Sequence, residues 1–515
     1  MKQINQILAK FYVIATLVIM PFYVENGYFN TLDAKSHVFW AASGVLMGAW
    51  AVLGIVVLVM RFITGDDKKP TKRRKDQGKA APKTLGGNPF EFSLMDIAVI
   101  AFAAVSVISW LLSEYGVYAL TGEQGWNIGA WTIVALAFTY FFISRCYTHD
   151  KYLWVYIIAA CLVLYLLGFL NGLDIDPLAM HTKLTEKEHF EYIATIGNIN
   201  SYSGYLSLTV PVVTFAFITD DRRWLVIPAG CAVFLGMTNL IVDNSDGAFL
   251  GAGAGLLFLV YYCLKDKRLY AKLFLAGLIM GAACALMGLI VAVHGDAMAK
   301  LSGVAGMCTE PRVFCPGIAL CLVALVLSRK FADRAGERFT RTVSVVFAVI
   351  VLVGIAAGII YTAMHFSGKW GTKRGWIWGF AIEVFSQGSF KNKLVGVGPE
   401  CFGIPVMEQF SEFISEHWGK RIANAHNEYL QYLVTMGILG MISYIMLYLS
   451  SFIAYLKRKN WNVTRAAMFF AIMGYMAQAA VNNPQALNMA TLFLFMGIYR
   501  SYEIKDLYAA DDRKI

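Results

Sequence analysis

The chain has 515 residues, of which 58% are hydrophobic and only 15% charged, with a mean hydropathy of +0.57. A soluble globular protein carries about 25% charged residues, so this composition excludes a water-soluble enzyme or binding module and points to an integral membrane protein. The net charge of +10 therefore has to be read as topology before it is read as affinity for an acidic partner.

Apolar runs of about 20 residues recur along nearly the whole chain, each long enough to cross the hydrocarbon core as a helix. They predict an all-α, polytopic bundle of about 14 spans, near 7–24, 38–60, 94–112, 129–144, 151–170, 198–217, 224–242, 246–264, 270–293, 312–328, 342–364, 426–455, 466–482 and 486–500. Ile7 to Val24 lacks a small-residue cleavage site and behaves as a first span rather than a signal peptide. With the N-terminus in the cytoplasm, most of the 44 Lys and Arg fall in cytoplasmic loops. An even span count then places both termini on that side of a cytoplasmic (inner) membrane. The expected organisation is N-terminal spans over 1–60, a basic cytoplasmic loop over 61–93 and a membrane core over 94–364. A long extracytoplasmic loop over 365–425, C-terminal spans over 426–500 and a cytoplasmic tail over 501–515 complete it.

In chain order, the first conspicuous segment is the basic run from Lys68 to Lys75, which has no interleaved aromatics. It is expected to be a disordered loop touching anionic lipid headgroups, not a nucleic-acid site. The nine cysteines form no CxxC and no Cys/His cluster with zinc spacing. Cys308 and Cys315 could pair outside the membrane, but spacing alone cannot show the geometry. A phosphate-binding GxxxxGK[ST] loop is absent, which argues against ATP-driven transport within this chain. The glycine-rich stretch from Gly247 to Gly255 is best explained by close helix packing.

Polar residues concentrate at four places that this topology puts on one side of the membrane. These are Gly197-Asn198-Ile199-Asn200-Ser201, Asn244-Ser245-Asp246-Gly247, the 365–425 loop with Lys373, Arg374 and Trp378, and the stretch from Asn424 to Gln431. Such groups are costly at membrane depth, so their convergence marks a functional site. At helical spacing Asn424 can cap the span that carries His426, and Asn427 can reach Gln431.

His426-Asn427-Glu428-Tyr429-Leu430-Gln431, after a long outer loop and followed by Gly437 and Gly440, resembles the O-antigen ligase and O-antigen polymerase superfamily. Three further segments agree in order. Gly197-Asn198-Ile199-Asn200 with Pro211 is similar to the family's Gly-Asn-Pro-Asn segment. Arg374 with Trp378 resembles its Arg-x-x-x-Trp, and Gly396 to Phe402 its Gly-x-Gly-x-x-x-Phe run. The resemblance covers about residues 195–500. Ser245-Asp246-Gly247 departs from the family's Ser-Arg-Gly, whose arginine is thought to hold lipid pyrophosphate; Arg312 or Lys373 would have to replace it, or the donor or acceptor differs.

The resemblance implies a membrane glycosyltransferase that moves a polyprenyl-pyrophosphate-linked glycan onto a hydroxyl of a glycan, lipid or protein acceptor outside the membrane. It implies no cofactor and no metal. His426 is then the base and Arg374 the diphosphate clamp, because an imidazole titrates near neutrality and a guanidinium forks onto two phosphate oxygens. Asn198, Asn200, Asp246, Trp378, Asn427, Gln431, Arg312 and Lys373 are the candidate substrate contacts. Structural roles compete: Asn198 and Asn200 as helix caps, Asp246 as a turn former, Arg374 as a headgroup-binding cation. A transporter or lipid flippase is the alternative function. It would need charged residues deep inside spans, and Asp96 and Glu383 form no such path.

Overall fold

Fourteen apolar stretches fold into helices at the places expected of spans, in a computed structural model that describes residues 2–64, 92–186, 188–295, 300–331, 334–419, 421–457 and 461–511. They are α1 (Gln3–Phe22), α2 (Thr31–Thr64), α3 (Leu94–Leu111), α4 (Ala130–Cys146), α5 (Leu153–Gly172), α6 (Ile199–Thr219) and α7 (Arg223–Val242). The chain continues through α8 (Asp246–Leu264), α9 (Tyr270–His294), α10 (Pro311–Phe331), α11 (Glu337–His365), α12 (Glu428–Lys457), α13 (Val463–Gln478) and α14 (Ala486–Asp511). Among the described residues, 11 helices are each long and apolar enough to cross a membrane. The remaining three are α4, which is shorter, and α13 and α14, whose side chains up to Tyr502 lie mostly inside the bundle. The Lys68–Lys75 run lies outside the described residues, as does the end of the tail.

Helix α6 is the centre of the bundle. Its span is 94% buried, packed against α7, α8, α13 and α14. The glycine stretch in α8 explains how closely these helices approach. A Cβ at Gly251 would strike the Ser207 side chain, and one at Gly255 would meet the Phe470 carbonyl at 2.8 Å; Gly253 faces open space. Helices α10 and α11 sit at the periphery, with only 11% and 6% of their spans buried. Cys308 and Cys315 are unbridged, as are all nine cysteines, and Cys315 is exposed near the start of α10.

An ion-pair network lies inside the bundle at the end away from His426. Asp96 closes a capping box with Ser93 at the start of α3. Its two oxygens also receive Arg145 Nη1 at 2.7 Å and Arg500 Nε at 3.0 Å, and Glu503 joins Arg500 to Arg465 at 3.0 and 3.2 Å. This network ties α3, α4, α13 and α14 together. Asp96 is thus a structural hub, and its buried charge is paired on both sides.

The expected 365–425 loop is largely helical. Segments Trp370–Gln387, Phe390–Val395 and Gly403–Trp418 enclose a second apolar core around Ile377, Phe380, Ala381, Phe402 and Val406. This cap is locked to the bundle where α12 breaks at Gly437, at φ 68° and ψ −171°. The break takes the Val434 and Thr435 carbonyls out of the helical ladder, and the amides of Val397 and Gly398 donate to them at 3.2 and 3.0 Å. Ser109 Oγ donates to Thr435 O at 2.9 Å and Ser113 Oγ to Val397 O at 2.7 Å, bringing α3 into the same joint. Gly396, at φ 79°, and Gly437 have no room for a side chain: a Cβ on either would land on the backbone of the other strand. The Gly-Val-Gly run is a backbone interlock.

Gly437→Ala should therefore destabilise the protein by about 1–3 kcal/mol through the forced left-handed residue alone, and by more through the clash. Gly354→Ala in α11, where nothing lies within 4 Å of a new Cβ, should be neutral. Thermal unfolding of the detergent-extracted protein measures both.

Candidate functional site

The turn before α12 carries His426 in the left-handed region, at φ 48°. That conformation delays the helix start to Glu428, so Asn427, not Asn424, is the cap: its Oδ1 accepts the Leu430 amide at 3.1 Å. Gln431 does not meet the Asn427 side chain. Its Oε1 reaches back to the Ala425 amide at 2.9 Å, while the Glu428 amide donates to Ala479 O at 2.8 Å. The fully buried Glu428 carboxylate accepts from the Tyr475 hydroxyl at 2.8 Å and from the Tyr444 hydroxyl. Asn427, Gln431 and Glu428 thus fix the turn that presents His426.

Opposite the imidazole lies a residue that sequence reasoning passed over. Asn483 Nδ2 is 3.2 Å from His426 Nδ1, in the Asn482-Asn483-Pro484 turn between α13 and α14. The signal was a pair of asparagines before a proline between two spans, a polar turn that resembled an ordinary connector. Asn482 joins this turn to the other asparagine-rich segment by donating to Asn200 O at 2.6 Å. There Asn198 caps α6, its Oδ1 taking the Asn200 amide at 2.9 Å.

Arg374 reaches the same place. Its backbone follows three left-handed residues, Gly371, Thr372 and Lys373 at φ 57°, 57° and 73°. A β-branched residue such as Thr372 resists that region, at a cost of about 1–3 kcal/mol, so the bend is a held conformation. It sends neighbouring cations in different directions. Arg374 Nη2 lies 3.4 Å from Asn200 Oδ1, whereas Lys373 Nζ donates to His417 O at 2.5 Å over the Trp418 ring. Burial pulls the Arg374 pKa below its ordinary value and the Asp246 carboxylate opposes this; a guanidinium keeps its charge regardless.

The other candidates are dispersed. Asp246 is exposed and accepts the Val304 amide at 3.0 Å, fastening the start of α8 to the 300–304 segment. Trp378 packs on Trp370 and Phe366, with ring centroids 5.1 and 6.0 Å away. Arg312 is 83% exposed and pairs with Glu310 at 3.4 Å, apart from the asparagine turns.

A cavity of about 460 Å³ opens between these elements. His426, Asn424, Asn198, Asn200 and Ser201 line one part, Ile377, Trp418 and Arg421 another. The remaining wall comes from residues 28–33, which run from the α1–α2 connection into the first turn of α2, and from Gly125, Trp126 and Tyr192. Arg374 is not one of the lining residues and meets the cavity wall through Asn200, 3.4 Å away. Arg421, a cation on the cavity wall, is held 3.4 Å from Glu123; it too escaped notice, being only a basic residue in a mixed loop.

Residues 301–445 match the O-antigen ligase family, supporting the O-antigen ligase/polymerase superfamily for this chain. The matched segment includes Arg374, Trp378, His426, Asn427 and Gln431, and leaves Asn198, Asn200, Asp246 and Asn483 outside it. No curated protein matches the chain.

Glu400, in the interlock loop at φ 62°, is 4% exposed. Burial first, then the carboxylates of Glu123 and Glu428, raise its pKa from 4.5 to about 8. The folded protein thus holds a proton that the unfolded chain releases, and stability falls as pH rises from about 4.5 to 8. Glu400→Gln should raise the thermal midpoint by about 2 °C or more at pH 8.5 and leave it unchanged at pH 5, as a pair of melting curves would show.

Proposed function

Taking an O-antigen ligase domain over residues 301–445 as the premise, we propose that the protein transfers a polyprenyl-pyrophosphate-linked glycan to an acceptor hydroxyl at the His426 end of the bundle. This places the His426 end outside the cytoplasmic membrane, with both termini inside. One observation carries the reading: a continuous hydrogen-bonded path joins the candidate base to the candidate clamp. It runs from Arg374 Nη2 to Asn200 at 3.4 Å, from Asn200 O to Asn482 at 2.6 Å, from Asn482 Oδ1 to the Asn483 amide at 2.9 Å, and from Asn483 to His426 at 3.2 Å.

In this reading the acceptor oxygen attacks the anomeric carbon of the donor while His426 takes its proton. The bond from that carbon to the diphosphate oxygen breaks, and the diphosphate leaves with the electron pair on its polyprenyl carrier. Arg374 neutralises the growing charge through two N–H donors. Asn483 sets which imidazole nitrogen acts. Its Oδ1 is buried without a hydrogen-bond partner; a half-turn of the amide brings that oxygen to Nδ1, which then donates its proton and leaves Nε2 as the proton acceptor. Burial strengthens the phosphate contact because solvent competes less for the guanidinium. Glycan, lipid and protein acceptors all satisfy this chemistry.

Two substitutions test the proposal in liposomes loaded with a labelled lipid-linked glycan. His426→Ala should cost about 100-fold or more in turnover with the protein still accumulating in the membrane; full activity would rule out the base. Arg374→Lys keeps the charge but loses the planar fork, so it should be nearly as damaging as Arg374→Ala. Near-normal turnover with lysine would reduce Arg374 to a surface cation.

A further inference from the structure

The segment between α5 and α6 folds back over the site end and carries three polar groups that glycan transfer does not use. Asp174 follows α5, His181 opens a 3-10 turn (His181–Lys183), and His189 lies in a second one (Glu188–Phe190). One ligand atom from each lies within 4.8 Å of those of the other two. Their sequence separation matches no metal-ligand motif, so only the fold brings them together.

His181 is the informative member, at 4% exposed. Its ring is packed against Tyr28 at 5.6 Å and stacked on His189 at 4.8 Å and 18°. Nε2 faces the Tyr192 carbonyl at 3.3 Å. A carbonyl only accepts, so Nε2 carries the hydrogen and Nδ1 is left with its lone pair. That Nδ1 is buried and has no hydrogen-bond partner, a state that costs free energy unless something binds it. An imidazole whose N–H is spent on a backbone carbonyl while its other nitrogen is bare has the arrangement of a metal ligand with its outer-shell partner. Beside it, His189 Nδ1 and Asp174 Oδ1 are 2.9 Å apart, sharing a proton where a cation could sit.

We propose that Asp174, His181 and His189 form a binding site for a divalent transition cation of the zinc class. Two imidazole nitrogens and one carboxylate oxygen suit such an ion, whereas magnesium and calcium prefer oxygen-only sets. Ligand atoms around one zinc ion stand about 3.3 Å apart. Asp174 and His189, with side chains 49% and 21% exposed, can rotate to close the set while His181 stays in place. Water takes the remaining position. Tyr28 and Tyr192, which surround His181, also line the cavity, and Tyr192 pairs with Asn198 in the two-stranded β1–β2 ladder, Tyr192–Ile193 with Gly197–Asn198. The ion would brace the cavity wall through its ligands. This site is independent of the glycan-transfer reading.

The test uses the full-length protein in detergent, freed of any affinity tag and stripped with a chelator, then titrated with Co²⁺. The expected result is one Co²⁺ per chain, with the visible absorption of a four- or five-coordinate site, displaced by Zn²⁺. His181→Ala should lower the affinity at least tenfold. Asp174→Asn combined with His189→Asn should do the same without disturbing the buried ring, and keeps the question answerable if His181→Ala fails to fold. His426→Ala should bind Co²⁺ as the parent does, which separates this site from the transfer site. A stoichiometry below one-tenth per chain, or affinity unchanged in the His181→Ala and the Asp174→Asn/His189→Asn variants, overturns the proposal.

Discussion

Two carbonyl groups govern the architecture. Where α12 breaks at Gly437, Val434 and Thr435 lose their helical donors, and in a low-dielectric interior an unpaired carbonyl costs several kcal/mol. The break survives because Val397 and Gly398 supply amides from the cap. One joint therefore does two things: it lets a membrane helix end its first segment early, so that the His426 turn stands over the cavity, and it fixes the position of the cap that carries Arg374. The glycines at 396 and 437 follow from this contact, since two backbones cannot approach so closely with a side chain between them.

The arginines at the two ends of the bundle show how environment sets role. Arg145 and Arg500 are held by Asp96 at 2.7 and 3.0 Å, their charge already compensated. Arg374 meets a neutral amide at 3.4 Å, while the Asp246 carboxylate acts on it only through its field. A closely paired carboxylate would compete with an incoming phosphate; an asparagine orients the guanidinium and competes weakly. The asparagines at 198, 200, 482 and 483 form a site built from neutral dipoles, which holds a cation and an imidazole together without fixing the charge of either.

The helices were legible because apolar runs of membrane length have few alternatives in lipid. The polar segments around Asn198, Arg374 and His426 were legible because polar groups are rare at such positions. Other features depend on which connections meet in space, and neither composition nor periodicity reports that. Residues 28–33 and Trp126 on the cavity wall, Asn483 beside His426, and the grouping of Asp174 with His181 and His189 all belong to this class. The cap of α12 was misplaced by three residues because a left-handed His426 is invisible to helical spacing. The two basic alternatives considered for the missing arginine diverge for local reasons: Lys373 turns onto His417 and Trp418, and Arg312 remains in solvent with Glu310.

The cavity wall begins near residue 28, and a partner of His426 is residue 483. A chain inserted into a membrane from its N-terminus would therefore carry its wall, the Asn198–Asn200 turn and Arg374 long before the Asn482–Asn483 turn. The turn between α13 and α14 is among the last pieces to arrive, and it is also the bridge between Arg374 and His426. The hydrogen-bonded path from Arg374 to His426 is thus complete only once residues 482 and 483 are in place.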